Sequence, residues 1–263
     1  MKKRLQFLLF FCLPLLLASC EKGIFDPEPN AKCLELSQQD DAGWVIERVY
    51  DGRKVTEIRY FQNEELRYYY EFTYGSDGRV VKSQYVDTRN NTAYTPEIIT
   101  YNEQGKWARS TFNNANGTVT EISVEYDSQS QIQKITSATT KDGTTTVNYT
   151  AIYTWENGNN VRRTYTSPTQ QQVVQYAFDL DQHNKRRKEQ EKYAFMSLAV
   201  AHNENMLRHV SSTTTTGATT VQSETEYSYT YNDEGYPTTL TRYITSGANP
   251  AYTATTYFSY DCD

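Results

Sequence analysis

Asp179, Asp181 and His183, in the run DLDQH, place two carboxylates and an imidazole within five residues. That donor set suits a divalent cation. Across a strand end nothing constrains its geometry, and solvated turn residues are the alternative reading. The chain has two further histidines, His202 and His209. It contains no HExxH, no CxxC, no phosphate-cradling glycine loop and no GxSxG elbow. Without a paired acid and base, a hydrolase is the weakest functional reading. The expectation is a protein that is not an enzyme and takes no metal or cofactor. The surplus lies in the aromatics, with 23 Tyr, 10 Phe and 3 Trp. Tyrosines can brace a sheet through cross-strand pairs of about 0.2–1 kcal/mol each. Exposed rows of Tyr and Trp can instead stack on sugar rings. Half-buried tyrosines with wet hydroxyls favour the structural use. Trp44, Trp107 and Trp155 are the candidate ligand-binding residues.

The elements that must carry these side chains are strands. From Gly43 onward the glycines fall in polar clusters such as GSDG (75–78), NEQG (102–105), KDG (141–143) and NDEG (232–235). Glycine supplies the positive φ that tight turns require. The segments between are rich in Tyr, Thr, Val and Ile and alternate with period two. In LRYYYEFTY, Leu66, Tyr68, Tyr70, Phe72 and Tyr74 share one face. In VNYTAIYTW, Val147, Tyr149, Ala151, Tyr153 and Trp155 share one face. Short connections make successive strands antiparallel neighbours. The expected fold is all-β: a long antiparallel up-and-down meander of about 14–16 strands, forming a curved sheet or flattened barrel, with one helical insertion.

That insertion is 179–206, which lacks glycine and alternation. KRRKEQEKYAFMSLAVAH puts Phe195, Leu198, Ala199 and His202 on one helical face. Phe195 and Leu198 are expected to be buried against one end of the sheet, with Lys185, Arg186, Arg187 and Lys188 in solvent. It reads as a cap over apolar sheet or as a plug or lid over a cavity.

The amino terminus reads as an export signal. MKKR is followed by an apolar run too short to span a bilayer and then by LASC, ending at Cys20. This resembles a bacterial lipoprotein signal, with residues 1–19 the leader and Cys20 the lipid acceptor. Residues 20–32, with Pro27 and Pro29 among charges, read as an extended linker, and 33–263 as a single β domain. Removal of Lys2, Lys3 and Arg4 would take the formal charge from −6 to −9. Such a body is a poor partner for nucleic acid or anionic lipid heads. Cys33 and Cys262 remain near opposite ends of the domain, and an exported protein can hold them as a disulfide.

The frames YGSDGRV (74–80), YNEQGKW (101–107), YDSQSQI (126–132) and YNDEGYP (231–237) repeat an aromatic, a polar turn and a new strand. They resemble the tyrosine-aspartate repeats of Rhs-type shell proteins. They are more similar to a Bacteroidota-type lipoprotein family of unknown function with a porin-like β fold. The likeness covers roughly residues 33–262. Rhs units are shorter and run in much longer arrays, so a toxin-enclosing shell is not expected. The porin-like family implies a curved antiparallel sheet or barrel and brings no catalytic residues.

The leading functional reading is a membrane-anchored, outer-membrane envelope lipoprotein, periplasmic or surface-exposed, that binds a glycan, a peptide or an envelope partner. A structural or assembly accessory of the outer membrane is the alternative. An integral porin conflicts with the strands. Lipid-facing positions must be apolar, whereas the outward set would include Arg48, Glu57, Arg59, Glu71 and Lys82.

Overall fold

The structure, a computed structural model, describes residues 33–186, 203–247 and 249–262. Its strands run in chain order. The first are β1 (Cys33–Asp40), β2 (Trp44–Asp51), β3 (Lys54–Gln62), β4 (Glu65–Tyr74) and β5 (Val80–Asp87). Next come β6 (Thr92–Ala93), β7 (Glu97–Tyr101), β8 (Trp107–Asn113) and β9 (Val119–Tyr126). β10 (Ile132–Lys141), β11 (Thr144–Glu156), β12 (Asn159–Thr166) and β13 (Gln170–His183) come after them. β14 (Asn205–Thr216), β15 (Thr219–Tyr231), β16 (Pro237–Ser246) and β17 (Asn249–Cys262) complete the set.

From β1 to β5 and from β7 to β17, each strand pairs antiparallel with the next, and β17 returns to pair with β1. Short β6 and β7 both lie against β5 and share one place in the wall. Seventeen strands therefore fill sixteen positions of a closed antiparallel barrel. The meander is as expected. Closure decides between the curved sheet and the barrel.

The helical insertion is not supported. Among the described residues there is no helix. Residues 179–183 extend β13, and Asn205 and Met206 open β14. Residues 187–202, where Phe195 and Leu198 were expected to be buried, lie outside the described residues. So do the leader, Cys20 and the linker up to residue 32.

Bulges set which face each residue takes. Tyr50 pairs with Val55 but Val49 pairs with Glu57, and the same one-residue slip accompanies Tyr74, Tyr101, Tyr126, Trp155 and Tyr231. An extra residue flips everything beyond it. A slip between Ser137 and Ala138 likewise turns Val147 outward, leaving it 50% exposed, while Tyr149, Ala151 and Tyr153 face in. Arg48, expected outside, points inward to a buried Glu35. Glu57, Arg59, Glu71 and Lys82 do face out, joined by Arg109, Glu121, Glu125 and Lys134. Outer ion pairs link Arg59 to Glu57 (2.7 Å), Arg109 to Glu121 (3.1 Å) and Lys134 to Glu125 (2.9 Å).

One end of the barrel is packed. Val55, Ile58, Phe72, Val80, Ile99, Trp107, Ile132, Ile135, Ala151 and Tyr153 form the buried cluster. All the repeat turns gather at this end, and their chemistry explains the motif. Tyr50 Oη donates to the Glu35 carbonyl (2.7 Å), Tyr74 Oη to Val55 (2.6 Å) and Tyr101 Oη to Val80 (2.7 Å). Tyr126 Oη donates to Trp107 (2.8 Å), and the Trp155 indole N–H to Ile132 (2.7 Å). Each accepting carbonyl from Val55 onward belongs to the residue paired with the preceding repeat's aromatic. The ladder thus ties repeat to repeat, at about 1 kcal/mol net per bond. The cation just before the buried residue covers the next ring. Lys54 lies over Tyr74, Arg79 over Tyr101 and Lys106 over Tyr126, all at 5.3–5.4 Å. Gly78, Gly105 and Gly235 turn at φ of 74–80°, and Ser130 adopts 66° at the matching position.

Candidate binding surface inside the barrel

The opposite end, formed by the turns after β1, β3, β5, β8, β10, β12, β14 and β16, is the mouth. Near it the inner wall carries a row of aromatics from β2, β4, β5 and the residue after β6. Trp44, at the start of β2, lies 6.2 Å from Tyr68 on β4. Tyr68 lies 5.4 Å from Tyr85 on β5, and Tyr85 lies 5.0 Å from Tyr94 beside β6. Cross-strand register puts them on one face: Trp44 opposes Gln62, Tyr60 opposes Tyr68, and Tyr70 opposes Tyr85. Deeper in, Tyr60 stacks on Tyr68 at 4.5 Å and Tyr70 lies 5.2 Å from Tyr85. Burial, reinforced by neighbouring Tyr68 and Tyr70, pushes the Tyr60 hydroxyl up to about 12. Tyr94 is 50% exposed, and Trp44, Tyr68 and Tyr85 are half-buried.

Acidic groups flank the row. Arg89 grips the Asp87 carboxylate through Nε (3.0 Å) and Nη2 (2.6 Å), and these hydrogen bonds hold its carboxyl below the ordinary range. Glu97, on β7, sits deeper. Burial pushes its carboxyl up to about 7, with a hydrogen bond from Ser110 pulling the other way. Ser110 Oγ in turn accepts the Trp107 indole N–H at 3.0 Å.

The three sequence-selected tryptophans are therefore separated. Trp44 is on the rim row. Trp107 is in the packed end, 4% exposed, and Trp155 belongs to the hydrogen-bonded ladder. Neither of these two indoles offers its N–H to a ligand. Tyr68 was visible as part of an alternating strand, but Tyr85 and Tyr94 were not singled out. Their signal was YVDTR and then TAY, an aromatic–acid–arginine alternation facing another aromatic across a turn.

The packed end also holds an ion cluster that sequence reasoning missed. Buried Glu35 is contacted by Arg48 and by Arg186 Nη2 (2.6 Å), and Arg186 lies 4.6 Å from the Phe258 ring centre. Arg186 thus goes inside, contrary to expectation, because Glu35 offers the only compensation for its buried charge among the described ion pairs. Lys185 stays exposed, over Tyr236. Asn159 and Asn205 exchange two hydrogen bonds of 2.9 Å, and Asn203 accepts the Asn160 N–H at 2.7 Å. Together with the Arg186–Glu35 pair, these bonds fasten both ends of the long connection to the packed end.

Cys33 and Cys262 face each other across β1 and β17 and are joined by a disulfide. They converge with Glu234, but both sulfurs are already bonded and offer no ligand to a metal. Asp179, Asp181 and His183 do not converge in this way among the described residues.

No protein-family model matches the chain, and no curated protein matches it. Solved structures do. A porin-like protein from Bacteroides uniformis aligns at a TM-score of 0.61 and 13% identity, covering 88% of this chain and 97% of that one. The two share a fold. Much looser alignments reach a TcdB2-TccC3-Cdc42 complex (TM-score 0.31, 11% identity, 87% of this chain) and a Photorhabdus luminescens Tc holotoxin pore (0.34, 14%, 85%). This chain spans only 15% and 13% of those two.

Proposed function

We propose that this protein is a non-enzymatic bacterial envelope lipoprotein whose barrel stands in water and binds a glycan chain at its mouth. The carrying observation is the row Trp44–Tyr68–Tyr85–Tyr94. Its rings succeed one another at 5–6 Å. That spacing is comparable to the advance per residue of an extended hexose chain, and aromatic faces stack on sugar rings while tyrosine hydroxyls stay wet. The outer face supports the rest of the reading. Charges and ion pairs stand on the outer face where a membrane barrel needs an apolar band. Membrane attachment then falls to the lipid on Cys20. The chain enters the barrel at Cys33, at the packed end, which leaves the mouth pointing away from the tether. Binding to a glycan array tests the reading. Trp44→Ala and Tyr85→Ala should each lose binding while the protein stays folded, with a fall of a few degrees in melting temperature from the lost ring contacts, while Trp155→Phe should keep it. Retention of full binding by the Trp44→Ala, Tyr85→Ala double variant refutes it. For the anchor, Cys20→Ser should release the protein into the soluble fraction.

A further inference from the structure

The inner wall is not uniform around the barrel. From β3 to β11 it is mainly apolar and aromatic: apolar side chains cluster, tyrosines contact one another, and deeper hydroxyls cap carbonyls. From β12 to β16 it carries two arginines, Arg163 and Arg242, that pair with no carboxylate among the described residues. Arg163 on β12 faces inward, opposite Tyr153 and Val174. Its Nη2 donates to Gln172 at 2.8 Å, but its Nε is buried with no acceptor. Arg242 on β16 faces inward opposite Tyr227. It has no ion-pair or hydrogen-bond partner among the described residues, and its Nε is also buried.

Two tyrosines bridge the arginines. Tyr227 pairs directly with Arg242 across β15 and β16, and Tyr176 lies on β13 two residues beyond Val174, the residue paired with Arg163. Among the described residues neither tyrosine stacks on another ring or caps a carbonyl, unlike those of the opposite wall. The inward positions between them are Val174, Val210, Ser212, Ser223 and Thr225, with no carboxylate among them. A buried guanidinium N–H without an acceptor costs more than a neutral orphan. Orphan guanidinium atoms also occur on Arg48, Arg67 and Arg186, but each of those pairs with a carboxylate, Glu35 or Glu65, whereas Arg163 and Arg242 have no ion pair among the described residues.

We infer that Arg163 and Arg242, with the hydroxyls of Tyr176 and Tyr227, form an anion subsite, and that the glycan bound by this barrel carries carboxylates. The inference rests on the glycan reading above and adds the charge of the ligand. Guanidinium forks match carboxylate geometry. The aromatic row across the barrel holds neutral ring faces, and the arginine wall selects the acidic substituent.

Calorimetry on the full chain tests this with four probes: an oligogalacturonate, its methyl ester, a neutral malto-oligosaccharide and poly-glutamate. The oligogalacturonate should bind and its ester should not. Arg242→Gln and Arg163→Gln should each weaken binding about tenfold or more, and Arg242→Lys should recover part of it. Tyr227→Phe, which removes only an oxygen, gives a second variant if the glutamines disturb folding. Equal binding of acid and ester overturns the anion subsite and leaves the glycan reading standing. Arginine-dependent binding of poly-glutamate alone assigns the subsite to a peptide and overturns the saccharide. No binding of any saccharide sinks both readings.

Discussion

Glu97 offers a quantitative test of how the inner wall is built. Its carboxyl, on β7, is hydrogen-bonded by Ser110, and burial raises its pKa from about 4.5 to about 7. A raised carboxyl holds its proton in the folded state at pH values where the unfolded chain has lost it. The fold then binds more protons than the unfolded chain, so stability falls as pH rises through that window. Each pH step between about 4.5 and 7 costs up to about 1.4 kcal/mol, for a total near 3 kcal/mol. Glu97→Gln keeps the size and a hydrogen-bonding group for Ser110 and removes the ionisation. Urea unfolding of both proteins, monitored by aromatic fluorescence from pH 4 to 8.5, isolates this contribution as a difference. The two should be about equally stable at pH 4. The variant should lead by about 3 kcal/mol at pH 8, which is roughly 5–10 °C in melting temperature for a domain of this size. A gap that stays constant with pH would refute the argument, since a side chain open to water has no such window.

The same wall yields three further expected outcomes. Tyr126→Phe removes the hydroxyl that caps the Trp107 carbonyl and should cost about 1–2 kcal/mol by denaturant unfolding, whereas Tyr243→Phe on an exposed ring should cost nothing measurable. Glu35→Gln leaves Arg48 and Arg186 inside the barrel without their counter-charge and should destabilise by about 3 kcal/mol or more. Replacing both Cys33 and Cys262 by Ser opens a clasp spanning 229 residues; on chain entropy the loss is about 5 kcal/mol, readable as a fall in urea midpoint.

The local pattern of the chain already specified much of this molecule. Each glycine-centred turn and each alternating run depends on residues within a few positions of one another. The frames from Tyr74, Tyr101, Tyr126 and Tyr231 could therefore be read directly as strand, turn and strand. Face assignment beyond a bulge was not legible. A bulge is a property of two paired strands, and one extra residue opposite Ser137 or Val49 reverses inside and outside for the remainder of the strand. That is why Val147 and Arg48 took the faces opposite to those expected, and why the helical pattern after Lys185 said nothing of Arg186 reaching Glu35.

By itself, then, the sequence determined the strand-and-turn rhythm, the antiparallel order and a polar exterior, because these depend on near neighbours along the chain. Only the tertiary structure decided that β17 returns to β1. Closure turns one face of a long sheet into an interior, brings Glu35 to Arg186 and Trp44 to Tyr68, and leaves Arg163 and Arg242 facing the same enclosed space. No spacing along the chain encodes those meetings, since each joins residues whose distance is fixed by the circumference of the barrel.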